Sequence, residues 1–200
     1  PEVPLWVQLP CYREEGMIDQ FLEGIPGYVS DSVKNQLDTD AKDFDEQMVS
    51  FFEDYMAASE PGYNLSESRF ALTGKRGNGI TEFLRCVDEK ASPFVALKGQ
   101  VTGPVTFGTA VKDAQNKDIF YNDQLKDTAI KKLAMNARWQ AREFSSRGAV
   151  PIVFLDEPAL AGFGTSAYIT ITREDVTAAI DDIVMEIHAE NGLAGVHVCA

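Results

Sequence analysis

The chain has 200 residues, 44% of them hydrophobic and 10% aromatic, which is enough length and apolar content for a soluble fold with a real core. Its 18 Lys and Arg against 31 Asp and Glu leave a net charge of −13, so it has no basic footprint for nucleic acid and no attraction to an anionic membrane. Cys11, Cys86 and Cys199 are too few and too scattered for a disulfide framework, which points to a reducing, cytoplasmic setting, and no apolar run approaches the roughly 18 residues of a membrane span.

Leu5 to Leu9, between Pro4 and Pro10, predicts a short buried strand. Met17, Phe21 and Ile25 then fall at helical spacing until Pro26-Gly27 stops them. Residues 30–43 are polar and read as a loop. Over residues 44–59, Phe44, Met48, Phe51, Phe52, Tyr55 and Met56 share one helical face, and Glu60-Pro61-Gly62 ends the run. A strand is expected over Arg69 to Thr73, a helix over Ile80 to Val87 and a buried strand at Phe94 to Leu97. Asn122 to Arg147 is the longest expected helix: Leu125, Ala129, Leu133, Ala137 and Ala141 recur every fourth residue, and Gly148 closes it. Val150 to Leu155 is a strand of apolar residues, the pattern of a sheet covered on both faces. Thr172 is placed to cap a helix over residues 173–190, with acids at 174 and 175 favourable to its dipole and a stripe of Val176, Ile180, Ile183 and Ile187. Gly195 to Cys199 begins one more buried strand. Trp6 and Trp139 are expected in the core, and His188 as a solvated cation near a helix end.

Buried strands alternating with long helices predict an α/β fold with a parallel sheet of four or five strands. A complete (β/α)8 barrel takes eight strands and about 250 residues. The chain opens on Pro1-Glu2-Val3-Pro4 and closes inside a strand at Cys199-Ala200. The expectation is therefore a partial (β/α)8 TIM barrel, roughly half of one, with residues 1–200 forming a single incomplete barrel domain that lacks the first and last strands.

Three segments place unusual residues at the carboxyl end of an expected strand, the edge where parallel α/β proteins keep their sites. They are Gly99 to Thr106 with its Gly103-Pro104 step, Asp156-Glu157-Pro158-Ala159, and His197-Val198-Cys199. Residues i and i+2 of a strand share a face, so His197 and Cys199 project side by side, as two ligands of one tetrahedral zinc would. The bland alternative is a buried Cys beside a satisfied core His. Asp156 and Glu157 point to opposite faces: one meets the pocket, and the other caps a helix or pairs with a base. Pro158 ends the ladder there. Gly103 lets backbone approach a ligand closely, although the segment lacks the ending of a phosphate loop.

Taken in order, the Gly-Pro-Val-Thr segment, the Asp-Glu-Pro-Ala strand end and the His-x-Cys strand resemble the catalytic barrel of the cobalamin-independent methionine synthase superfamily. Met17, Phe21, Glu23, Ile25 and Gly27 are similar to a further run of that family. The resemblance implies a zinc-dependent methyltransferase that makes methionine from homocysteine, with His197 and Cys199 as zinc ligands and a Glu and a second Cys supplied by later strands. It gives Asp156 contact with the homocysteine amine, and lines the same pocket with Thr102 and Gly103. Two positions depart from the folate-dependent members: Ala110 stands where a Trp packs on the folate, and Cys11 where a Glu meets the amine. These departures favour a corrinoid-linked methyl donor, a corrinoid protein or methylcobalamin, over folate. The alternatives are transfer to another thiol such as coenzyme M, a uroporphyrinogen-decarboxylase-like enzyme without zinc, and a non-catalytic binding or assembly protein.

Overall fold

The computed structural model describes residues 3–29, 35–90, 94–165, 168 and 170–199. In chain order its regular elements are α1 (Asp19–Leu22), α2 (Phe44–Ser59), α3 (Asn78–Asp88), β1 (Ala96–Thr102), α4 (Pro104–Ala110), α5 (Asp123–Ser145), β2 (Val150–Asp156), α6 (Arg173–Ala189) and β3 (Leu193–His197). The strands form one parallel sheet in the order β1-β2-β3, with α4 and α5 between β1 and β2 and α6 between β2 and β3. Sequential parallel strands with helical crossovers make this a partial (β/α) barrel.

One face of the sheet is the core. Val101, Val153 and Leu155 are fully buried there against Leu133 and Ala137 of α5 and Ile183 and Ile187 of α6. The apolar repeat of α5 accounts for that packing, Asn122 caps its first turn through Gln124 and Leu125, and Gly148 follows it at φ 73°. Thr172 does more than cap α6: it forms a reciprocal capping box with Asp175. Trp6 and Trp139 are buried and His188 is exposed near the end of α6.

Several local expectations are corrected. Leu5 to Leu9 is no buried strand: Leu5 makes one parallel bridge to Lys98, Trp6 N–H donates to the Lys98 carbonyl at 2.9 Å, and Leu5 and Val7 stay exposed. The helix through Met17 and Ile25 is a single turn, α1. Met56, although placed on the apolar face of α2, is exposed. Of the polar loop over residues 30–43, residues 30–34 lie outside the described residues.

Arg69 to Thr73 is irregular, because α5 replaces a neighbouring strand. Lys132 Nζ donates to the Arg69 carbonyl, and Asn136 Nδ2 donates to the Phe70 carbonyl at 2.7 Å. The sheet has three strands among the described residues, and the last is an exposed edge strand starting at Leu193.

Candidate functional site at the carboxyl edge of the sheet

The strand register brings the three sequence motifs together. Thr102 is the partner of Asp156, and Asp156 is the partner of His197, so the last residues of β1, β2 and β3 form one row across the sheet. Register partners in a parallel sheet point to the same face. Exposure grows along the row: Thr102 is buried, while the side chains of Asp156 and His197 are 20% and 56% exposed. Thr102 Oγ1 donates to the Met17 carbonyl, which ties the N-terminal run to the same edge.

At the open end of the row, Asp156 Oδ1 lies 3.2 Å from His197 Nδ1, and Cys199 Sγ lies 3.4 Å from His197 Nε2. A carboxylate can only accept, so the contact requires a proton on Nδ1; in the neutral imidazole this leaves the lone pair on Nε2, the nitrogen that faces the thiol. Imidazole nitrogen and thiolate sulfur bound to one tetrahedral zinc stand about 3.5 Å apart, given bond lengths of about 2.0 and 2.3 Å. The spacing of His197 and Cys199 therefore suits a shared metal ion, and Asp156 orients the imidazole for it. Among the described residues no cluster of three or more His, Cys, Asp and Glu side chains surrounds a single point, so the pair is at most half of a ligand set. Cys11, Cys86 and Cys199 are all free and exposed.

Glu157, the other member of the Asp156-Glu157 pair, is the most heavily constrained group at this edge. It is fully buried. Its Oε1 accepts from Val105 N–H at 2.8 Å, and its Oε2 accepts from Thr106 N–H at 2.8 Å and Thr106 Oγ1 at 2.6 Å. The Thr106 oxygen in turn accepts from Ala159 N–H at 3.1 Å. Burial pushes the Glu157 pKa up, and the bonds from Thr106 and Val105 pull it back. Of the two adjacent carboxylates, Asp156 is the one that meets the row and Glu157 the one that caps a helix, α4. The close approach that Gly103 permits is made by Glu157, whose Cγ and Cδ would lie 2.1 Å from a Cβ at Gly103. The signal in the sequence was the strict alternation of strand faces; what it lacked was the partner, which lies across the sheet.

No helix of the described residues is long and apolar enough to cross a membrane. No protein-family model matches the chain, and no solved structure matches it. Among curated proteins it is similar to a methionine synthase of Methanocaldococcus jannaschii, with 23% identity over 199 residues. That alignment covers 94% of this chain and 59% of the relative, so the chain spans less than two thirds of the relative's length. At this identity the relationship to a methionine synthase is a distant one.

Proposed function

We propose that the row Thr102, Asp156, His197 and Cys199 is the metal-binding and acceptor-binding edge of a zinc-dependent thiol methyltransferase, with homocysteine as the acceptor and a corrinoid-linked methyl donor. The observation that carries this reading is the His197–Cys199 pair with Asp156 behind the imidazole, at a spacing fit for one tetrahedral ion. The distant similarity to a methionine synthase supports the methyl-transfer chemistry. A free, exposed Cys199 suits a reducing compartment, in keeping with a cytoplasmic enzyme.

His197 Nε2 and the Cys199 thiolate would hold the metal, and zinc, when bound, lowers the pKa of a coordinated thiol so that it is nucleophilic at neutral pH. Asp156 fixes the imidazole through Nδ1–H, and in this reading its second oxygen would receive the ammonium group of an amino-acid thiol. Thr102, held by Met17, would form the buried end of the acceptor-binding edge. In the transfer, the acceptor sulfur gains the methyl group and gives up its proton, and the donor leaves demethylated. Ala110, which offers no aromatic platform for a pterin ring, favours a corrinoid donor over folate.

The test is zinc per chain in the native-length protein and in its His197→Ala/Cys199→Ala variant, followed by methyl transfer from methylcobalamin to homocysteine. Near-stoichiometric zinc that disappears in the folded double variant, together with S-methylated product, is the expected result. A folded protein purified from zinc-replete cells without zinc would overturn the reading.

A further inference from the structure

We propose that Glu157 is a positioning residue: its main-chain N–H and its buried carboxylate, the latter clamped by Val105 and Thr106, together hold the ends of all three strands so that Thr102, Asp156 and His197 stay in one row. The importance of that row rests on the reading above, whereas the clamp itself does not.

Row residues are the last of their strands, where a ladder frays unless something closes it. Beyond Asp156 the β2 ladder cannot continue, because Pro158 has no N–H to donate. Glu157 supplies the closing contacts in both directions. Its N–H donates to the His197 carbonyl at 2.8 Å, which fixes β3. Its carboxylate crosses above Gly103 and takes the first free N–H groups of α4, which fixes the end of β1. Gly103 N–H donates to the Asp156 carbonyl at 2.8 Å, so the same turn is tied back to β2. Thr106 locks the arrangement, because its hydroxyl donates to Glu157 and accepts from Ala159.

One residue thus ties both neighbouring strands to the strand that carries Asp156. The relative placement of Asp156 and His197 decides which imidazole nitrogen keeps the proton, and hence whether Nε2 offers Cys199 a lone pair. Glutamine at 157 keeps one acceptor but turns an NH2 group toward a main-chain N–H, so it opens the clamp with almost no change in volume.

The experiment is 15N-histidine NMR on the native-length protein, as purified and after chelation, for wild type, Glu157→Gln, Thr106→Ala and Thr106→Ser. Wild type and Thr106→Ser are expected to show His197 as a single Nδ1–H tautomer. Folded Glu157→Gln and Thr106→Ala are expected to show an averaged tautomer after chelation, and about tenfold weaker retention of zinc where zinc is bound. Should Glu157→Gln fail to fold, Thr106→Ala decides the question. Unchanged His197 signals in the folded variants would overturn the positioning role. If the protein holds no zinc, the spectra before and after chelation coincide; the methyltransferase reading then fails while the clamp is still tested.

Discussion

No side chain fits at Gly103, and the reason is space rather than backbone geometry. Its φ of −71° is open to any residue, whereas a Cβ would meet Glu157 at 2.1 Å. Gly103→Ala must therefore displace the Glu157 carboxylate and strip the N-terminus of α4 of its acceptor. The expected cost is about 2–4 kcal/mol, from overpacking together with exposed or unsatisfied N–H groups. Gly148→Ala is the control: φ is 73° but nothing lies within 4 Å of its Cβ, so only the left-handed backbone penalty of roughly 1–2 kcal/mol applies. Urea unfolding of both variants checks this, and equal midpoints would show that Glu157 moves aside freely. The sequence marked Gly103 as a point of close approach and Asp156-Glu157 as a divided pair. It could not reveal that the two features meet, because a side chain crossing from one strand end to the next leaves no local pattern.

At the scale of an element, α5 carries two adjacent stripes. The apolar one, Leu125, Ala129, Leu133, Ala137 and Ala141, was legible from its period. Beside it runs a buried polar stripe at the same spacing: Thr128, Lys132, Asn136 and Gln140. Its members serve main-chain carbonyls, Lys132 that of Arg69, Asn136 that of Phe70, and Gln140 that of Gln100 at 2.9 Å. The carbonyls of Arg69 and Phe70 thus find partners on α5, although the segment has no strand neighbour among the described residues. Burial of Lys132 pushes its pKa down to about 7, opposed by Glu23 and reinforced by Arg69 and Arg76. The unfolded chain keeps that proton up to about pH 10.4, so between pH 7 and 10 the unfolded state binds more protons. The penalty is complete below pH 7 and fades as pH rises through this window. Wild type is therefore expected to gain a few kcal/mol relative to Lys132→Met between pH 7 and 9.5. Unfolding free energies of both proteins at the two pH values measure the difference, and parallel profiles would contradict a deprotonating Lys132.

At the scale of the whole molecule, two opposed properties govern association. The parallel order of the strands and their helical crossovers were legible in the sequence, because apolar runs of strand length alternate with helical periodicity. The exposure of β3 was not: Gly195 to Cys199 reads as buried, yet Leu193, Val196 and Val198 are exposed and β3 pairs on one side only among the described residues. Hydrophobicity marks a strand for burial without saying what covers it. An apolar edge with unpaired N–H and C=O groups invites a second strand. A net charge of −13 opposes the approach of another copy, and that repulsion reaches about 30 Å in 10 mM salt but only about 8 Å at 150 mM. The 200-residue polypeptide is accordingly expected to be monomeric at low salt and to self-associate reversibly as salt is raised. Val196→Lys places a charge on the edge itself and should abolish the salt-induced association while leaving the low-salt monomer unchanged. Light scattering across a salt series separates the two influences. Association in the Lys variant equal to that of wild type would place the contact on another surface, and a wild-type monomer at every salt concentration would mean that the edge is too short to template a partner.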